Sequence, residues 1–208
     1  MLLLRTEMQK LPMEKKSVRL FKSDFMESLT HVHPIIPLLF WSPVIGFLLW
    51  RSFSVHELSA IQVAAMILPG LLVWTLTEYL LHRFVFHFHA KSAAGKWVVY
   101  LFHGVHHDVP TDKSRLVMPP AGAVIVMAML WVLFSLLIPA PWVEPFCAFF
   151  IVGYLIYDYT HYATHHFSMR HPWLHALKIR HLKHHYSENK EKFGVSSPLW
   201  DWVFGTLN

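Results

Sequence analysis

Cysteine and charge are both scarce in this sequence, and each scarcity excludes a class of protein. Cys147 is the only cysteine among 208 residues, which excludes an internal disulfide, a four-cysteine iron–sulfur cluster and a zinc ribbon. Charged residues make up 15% of the chain and apolar residues 54%. Soluble domains are about 45–50% apolar. The composition therefore favours a membrane protein of one domain.

The amino terminus lacks the apolar core of a signal peptide, because a charged stretch follows Met1–Leu4 at once. The formal net charge is +5 without histidine. In so apolar a chain, this charge indicates contact with a membrane surface. The sequence contains no nucleic-acid-binding motif, so we expect no nucleic-acid partner.

Four apolar segments approach the length of about 20 residues that a membrane-spanning helix needs. They cover residues 34–50, 58–81, 116–138 and 142–159. The connectors at 51–57 and 139–141 are short, so the segments predict two helical hairpins. The fold class predicted is all-α: an integral membrane four-helix bundle of two hairpins with a cytosolic helical cap.

The positions of Lys and Arg predict the orientation of the bundle. Of the 18 Lys and Arg residues, only Arg51 lies in a short connector. The positive-inside rule therefore places both termini and the segment 83–115 in the cytosol. We expect residues 1–33 to form a cytosolic tail and residues 34–208 to form the membrane-embedded domain. The membrane would be a bacterial inner membrane or the endoplasmic reticulum.

Seventeen histidines are a large excess, and most of them fall into four boxes on the predicted cytosolic side. The boxes are His82 with His87; His103, His106 and His107; His161 with His165; and His181, His184 and His185. Residues three or four apart share one face of a helix, so three of the boxes should each point one way. A step of five does not repeat a face, so the helix should bend or unwind between His82 and His87.

Neutral imidazole is a common ligand of iron, zinc and copper. One zinc ion needs four ligands, so ten convergent imidazoles indicate two metals with about five ligands each. Ligating histidines usually donate their second N–H to a carboxylate or a carbonyl. The predicted partners are Glu78, Asp108 and Asp158, which lie next to or one turn from box histidines. We predict no catalytic residue beyond the metal ligands.

The boxes and the carboxyl-terminal sequence together resemble the sterol desaturase/fatty acid hydroxylase superfamily, and most closely its fatty acid 2-hydroxylase branch. The resemblance covers residues 34–208 and is carried by the strings HRFVFH, LFHGVHH, YDYTH, HLKHHY and, near the end, FGVSSPLWDWVFGT. It implies a non-haem dimetal monooxygenase with two iron ions on the ten box histidines, and zinc as an alternative occupant in a purified protein. It also implies dioxygen-dependent hydroxylation of an acyl lipid next to its carbonyl.

The resemblance also indicates how electrons arrive. Relatives often carry an amino-terminal haem domain, and the residues before the first span are too few for one. We therefore expect a separate donor, either a cytochrome b-type protein or a ferredoxin with its reductase. Two other functions remain open from sequence: a carotenoid hydroxylase or sterol desaturase of the same superfamily, and a membrane metal transporter. Transporters place ionisable ligands inside their spans, whereas these boxes lie at one end.

Overall fold

The computed structural model describes residues 17–187 and 191–207, and helices with their connecting segments account for all of them. In this part of the chain, four helices are long and apolar enough to cross a membrane. They are Ile36–Ser54 (α2), Ala60–Phe86, Pro120–Leu137 (α7) and Ala140–His166 (α8). The second of these spans is built from Ala60–Ala65 (α3), Ile67–Leu80 (α4) and the π-helix Leu81–Phe86 (π1). The all-α prediction and its four spans are confirmed.

Shorter helices surround the ends of the spans. They are Asp24–Ser28 (α1), Ala93–Val99 (α5), the π-helix Tyr100–Gly104 (π2), Val105–Asp108 (α6), Pro172–Tyr186 (α9) and Leu199–Val203 (α10). The boxes at residues 103–107 and 181–185 lie on these short helices.

Proline and capping residues set most of the helix starts. Proline occupies the first turn of α7, α8 and α9, where its missing N–H has no helical partner to lose. Ser59 and Gln62 form a reciprocal capping box at the start of α3. The main departure from prediction is α8, which continues to His166 instead of ending near residue 159. His161 and His165 therefore lie on the same regular helix as the span itself.

The fourth span, α8, is the centre of the bundle. Its most apolar window is 67% buried, whereas that of α7 is only 11% buried. It packs chiefly against the first and second spans. A Cβ added to Gly153 would lie 2.6 Å from the Cβ of Trp74, so only glycine allows this close approach. Large apolar side chains cover the outer faces of the other spans, as expected for surfaces in contact with lipid.

The second span widens into a π-helix at its end. The turns of π1 follow the i→i+5 pattern, and the amide of His87 donates to the carbonyl oxygen of His82 at 3.2 Å. In such a wide turn, residues five apart come onto one face. The prediction that the helix bends or unwinds here is confirmed, because the under-wound π turn directs His82 and His87 to the same side and the helix ends at Phe86, just before His87.

Residues 17–33 lie against the bundle. The amide of Val32 donates to the carbonyl of Ser114 at 2.6 Å, and the hydroxyl of Ser17 donates to Asp112 at 2.6 Å. The predicted tail of residues 1–33 is thus packed, over its described part, on the segment before α7. Residues 1–16 of that tail lie outside the described residues.

Candidate metal centre

The ten box histidines converge into two adjacent groups of five. In each group the nearest ring nitrogens all lie within 4.8 Å of one another. Group one contains His82, His87, His103, His107 and His184, and group two contains His106, His161, His165, His181 and His185. The groups adjoin, since the rings of His107 and His185 stack with centroids 4.1 Å apart. Each group could hold a metal ion.

The two His-x-x-His-His boxes are each divided between the groups. His103 and His107 belong to group one, while His106 belongs to group two. Likewise His184 belongs to group one, although its neighbour His185 belongs to group two. Successive residues of an α-helix point about 100° apart, so adjacent histidines reach different centres. The histidines of each of these two boxes face the same site, as predicted, but each box contributes to both groups.

In group one the side chains meet through their Nε2 atoms. The Nε2 of His103 lies 3.1 Å from that of His82 and 2.9 Å from that of His107. The Nε2 atoms of His87 and His184 lie 2.9 Å apart. The five rings therefore direct their Nε2 atoms at a common point. They are carried by π1, the residue after π1, π2, α6 and α9.

Group two shows the same arrangement on longer helices. The Nε2 of His106 lies 2.9 Å from that of His161 and 3.0 Å from that of His185. The Nε2 of His181 lies 2.8 Å from that of His165 and 3.0 Å from that of His185. His161 with His165, and His181 with His185, are i,i+4 pairs on α8 and α9.

Burial in the site favours the neutral form of imidazole, which is the form that binds metal. Burial, followed by repulsion from neighbouring histidines, lowers the pKa of His103, His106 and His181 well below the usual value. In addition, the Nδ1–H of His82 donates to the carbonyl oxygen of Phe193 at 2.6 Å. A ring whose Nδ1 carries the proton presents a lone pair at Nε2.

The spacing of these nitrogens fits two metal ions. Imidazole nitrogens bind zinc at about 2.0–2.1 Å, so ligands of one ion lie between roughly 3 and 4.2 Å apart, depending on the angle. The distances between Nε2 atoms are 2.8 to 3.1 Å for the shortest pairs, and all the nitrogens of a group lie within 4.8 Å of one another. This range includes the interval expected for ligands of one ion. Convergent lone pairs repel one another, and a cation between them removes the repulsion.

The three predicted carboxylates have other hydrogen-bond partners. Asp108 accepts from the hydroxyl of Tyr100 at 3.0 Å. Asp158 accepts from the amide of Met118 at 3.3 Å and from the hydroxyl of Tyr154 at 3.3 Å. Glu78 accepts from backbone amides near the carboxyl terminus. At His82 and His184 the ring Nδ1–H donates to a backbone carbonyl oxygen instead.

The carboxyl-terminal segment, residues 191–207, supplies those carbonyls. Besides the bond to Phe193, the Nδ1–H of His184 donates to the carbonyl of Glu191 at 2.7 Å. Both anchored rings belong to group one. In group two, by contrast, the buried Nδ1 atoms of His181 and His185 meet no acceptor among residues 17–187 and 191–207.

Two buried acids hold this segment in place. Asp201 accepts from the amides of Phe193 at 2.8 Å and Gly194 at 2.9 Å, and pairs with Arg180 at 2.9 Å. Glu78 accepts from the amide of Val195 at 2.6 Å, and from the amide of Ser196 at 2.9 Å and its hydroxyl. Sequence reasoning missed Asp201 as a functional residue; its signal was a lone acid in an otherwise apolar carboxyl-terminal string.

An apolar cavity of about 300 Å³ opens beside both groups. Its inner end is lined by His103 of group one and by His106 and His161 of group two. Its walls come from residues 20–30, from π2 and from the start of α7, and include Leu20, Phe21, Met26, Leu29, Phe102, Met118, Gly122 and Ile125. Of these, Met26, Leu29, Phe102 and Ile125 are also exposed at the surface, so the mouth of the cavity is apolar.

Basic residues lie beyond the other side of the site, on and around α9. Arg170 and Lys183 are exposed, whereas Lys178 donates to the carbonyl of Phe167 and Arg180 is engaged by Asp201. A further basic residue of this region, Lys190, lies outside the described residues.

Comparison with known proteins relates this geometry to lipid hydroxylases. The family model "Fatty acid hydroxylase" matches residues 67–206, which include all ten histidines of the two groups. The chain is 42% identical over 190 residues to the dihydroceramide fatty acyl 2-hydroxylase FAH2 of Arabidopsis thaliana, covering 91% of this chain and 79% of that protein.

Two further proteins extend the comparison. The chain is 35% identical over 214 residues to the fatty acid 2-hydroxylase of Homo sapiens, covering 92% of this chain and 57% of that protein. Among solved structures it is similar to full-length scs7p, in which only the hydroxylase domain is visible. That match has a TM-score of 0.83 and 37% identity, and covers 89% of this chain and 70% of that one.

Proposed function

The chain belongs to the fatty acid hydroxylase family, and from that premise we propose that it is a membrane-bound fatty acid 2-hydroxylase. It uses dioxygen and external electrons to hydroxylate the carbon next to the carbonyl of an acyl chain. The observation that carries this proposal is the apolar cavity that ends at both five-histidine groups. The relatives named as 2-hydroxylases support the position of attack.

All ten box histidines are the proposed metal ligands, five for each of two iron ions. Iron would supply the redox chemistry that activates dioxygen, and zinc would compete for the same imidazoles. The chain's own contribution is to hold ten neutral rings with their Nε2 atoms inward. Carbonyl acceptors at Nδ1 keep two of those rings, His82 and His184, in the required tautomer.

The three carboxylates act indirectly in this account. Glu78 binds the amides of Val195 and Ser196 and so positions the carbonyl of Phe193 against His82. Asp158 holds the start of α7 through Met118, beside the cavity. Asp108 holds Tyr100 in the turn that carries His103. All three would orient the site without touching a metal.

The cavity is the proposed binding site for the acyl chain. Its apolar mouth would face the bilayer, so a lipid would enter sideways while its alkyl tail remains in an apolar environment. The apolar walls of the cavity then exclude water from the reacting carbon, which prevents side reactions with solvent. The relatives named as fatty acyl or fatty acid 2-hydroxylases favour an acyl substrate over carotenoids and sterols.

The proposed orientation places both termini, the helical cap and the histidine groups in the cytosol, with residues 34–208 as the catalytic domain and the spans paired as hairpins. It rests on the distribution of Lys and Arg. The membrane is a bacterial inner membrane or the endoplasmic reticulum.

Electrons come from a separate cytochrome b-type protein or a ferredoxin with its reductase, and the exposed Arg170 and Lys183 would favour an acidic carrier.

Expression in a host without hydroxylated lipids tests this function. The chain is supplied with iron and with a co-expressed cytochrome b-type or ferredoxin donor, and hydrolysed total fatty acids are analysed by mass spectrometry. We expect a new 2-hydroxy acid that disappears in His106→Ala. A hydroxylated carotenoid or sterol without any 2-hydroxy acid would contradict the acyl substrate and favour the other branches of the superfamily.

A further inference from the structure

The short helix α10 directs its apolar side chains outward and its one charge inward. Leu199, Trp202 and Val203 are three or four residues apart, so they share one face of the helix. All three are exposed, Trp202 by 70%. Asp201 is the only charged residue between positions 193 and 207, and it is fully buried. A helix that faces water has the reverse pattern, so the outer face of α10 suits an apolar environment.

The carboxyl-terminal segment lies beside the second span at the depth of the bilayer core. The indole N–H of Trp200 donates to the hydroxyl of Thr75 at 3.0 Å, and the hydroxyls of Tyr79 and Thr206 lie 3.1 Å apart. The span begins at Ala60, and at 1.5 Å per residue Thr75 is about 22 Å along it. The hydrocarbon core of a bilayer is about 30 Å thick. Thr75 and the indole that it contacts therefore lie within that thickness.

The distribution of charge along the second span indicates the same depth. Between positions 58 and 82, Glu78 is the only Asp, Glu, Lys or Arg, and it is buried. The next charged residue is Arg83, which is partly exposed and lies about two turns beyond Thr75. Lysine and arginine collect at the cytosolic edge of a span. The part of α10 next to Thr75 is therefore on the hydrocarbon side of that edge.

The same segment supports group one of the histidines. The carbonyls of Phe193 and Glu191 accept from the Nδ1–H groups of His82 and His184. The carboxylate of Asp201 on α10 accepts from the amide of Phe193 at 2.8 Å. A displacement of α10 would therefore displace a carbonyl that orients a ring of group one.

We propose that the outer face of α10 is a membrane-binding surface that embeds among the acyl chains of the cytosolic leaflet, and that this contact with lipid holds the carboxyl-terminal segment against group one. Bilayer lipid is the partner because the face is uncharged, carries a large aromatic side chain and lies at the depth of a span. The leaflet and the effect on group one rest on the proposed orientation and metal sites. The contact between α10 and lipid rests on neither.

Fluorescence quenching tests the contact with lipid. Because Cys147 is the only cysteine, a fluorophore can be attached at Trp202→Cys in a Cys147→Ala background, and the full chain is reconstituted in phosphatidylcholine vesicles. We expect strong quenching by lipids with a nitroxide on the acyl chain and little quenching by aqueous iodide. Val132→Cys, on the exposed face of α7, is the control for lipid contact. Lys183→Cys, exposed on α9, is the control for contact with water.

Two results would overturn the membrane-binding surface. One is a label at position 202 that iodide quenches as strongly as the label at position 183. The other is a label shielded from both quenchers, because another protein, such as a second copy of this chain, would then cover α10. The measurement involves neither metal nor turnover, so a chain that makes no 2-hydroxy acid leaves its result intact.

Metal titration of the chain in phosphatidylcholine nanodiscs tests the link to group one. Trp202→Glu places a charge among acyl chains and should weaken one of the two metal sites by about tenfold, as does the loss of a partner of a metal ligand. Trp202→Phe should bind metal as the wild type does. Leu136→Glu is the matched control, since Leu136 is 80% exposed on α7, and it should leave both affinities unchanged.

Unchanged affinities in Trp202→Glu, or equal weakening of both sites, would overturn the link between lipid contact and group one. A wild type that binds fewer than two ions would instead count against the proposed metal sites. The quenching result would still decide whether α10 contacts lipid, so the two failures are distinguishable.

Discussion

The two histidine groups contain five imidazole rings each but are held by different means. Group two relies on the regular helices α8 and α9, in which i,i+4 spacing alone aligns His161 with His165 and His181 with His185. Group one is assembled at two π-helices and is anchored by carbonyls of the carboxyl-terminal segment. A site carried by regular helices needs few outside contacts, whereas a site at helix irregularities depends on the segment that holds them.

This difference predicts that defects in the carboxyl-terminal segment should affect group one selectively, while the loss of a ligand from either group should stop the reaction. The following experiments test that separation.

The largest effect is expected from removing one histidine of each group. His103→Ala and His106→Ala should each lower 2-hydroxylation by more than about 100-fold, because hydroxylation requires both centres. Loss of a group that only hydrogen-bonds to a metal ligand lowers activity by about 10- to 100-fold. The measurement is the yield of 2-hydroxy acid per unit of protein in membranes. His56→Ala serves as control, since His56 contacts Glu144 at the opposite end; full activity in either test variant would argue against two necessary centres.

Asp201→Asn should cause the next largest effect and should act on one group only. The amide cannot accept from two backbone amides, Thr206 and Arg180 as the carboxylate does. We expect the affinity of one of two metal sites to fall by about 10- to 100-fold, as measured by metal titration of the purified chain. Asp112→Asn, which alters an acid of the amino-terminal network, is the matched control. Equal weakening of both metal sites would contradict the claim that the carboxyl-terminal segment supports group one only.

Glu78→Gln should also weaken metal binding at one site only, but by less than Asp201→Asn. The oxygen of the amide can still accept from the backbone amides of Val195 and Ser196, while the hydroxyl of Ser196 can no longer donate to a second carboxylate oxygen. A loss of up to about tenfold at the same single site is expected, because a hydrogen bond to a charged group contributes roughly 1.5–3 kcal/mol and part of it is retained. The same titration measures it. A larger loss than in Asp201→Asn would show that Glu78, not Asp201, is the main anchor.

Ser196→Ala should give the smallest change. It removes only the hydroxyl donated to Glu78 and leaves the amide bond of Ser196 in place. A net contribution of about 0.5–1.5 kcal/mol corresponds to about a two- to tenfold weakening of the group-one site. Ser197→Ala is the neighbouring control and should leave both metal affinities unchanged. A weaker group-two site in Ser196→Ala would contradict the assignment of this segment to group one.

The sequence predicted the parts of this molecule that depend on composition and regular spacing. Apolar runs placed four spans, and histidine counting led to two centres of about five ligands. The division of each His-x-x-His-His box was not predictable in the same way, because sharing one face of a helix does not specify which of two adjacent centres a ring will reach.

The missed features depend on backbone groups and on long-range packing. Every residue has a carbonyl, so no pattern distinguishes those of Phe193 and Glu191 as anchors. The wall formed by Leu20 and Phe21 required residues far apart in sequence to meet.

Metal content tests the central claim, that ten histidines form two separate metal sites, most directly. The chain is purified from iron-supplied cells, and iron and zinc per chain are measured in the wild type, in His103→Ala and in His106→Ala. We predict two ions in the wild type and one in each variant. A wild type with one ion, or variants that both keep two, would contradict the account.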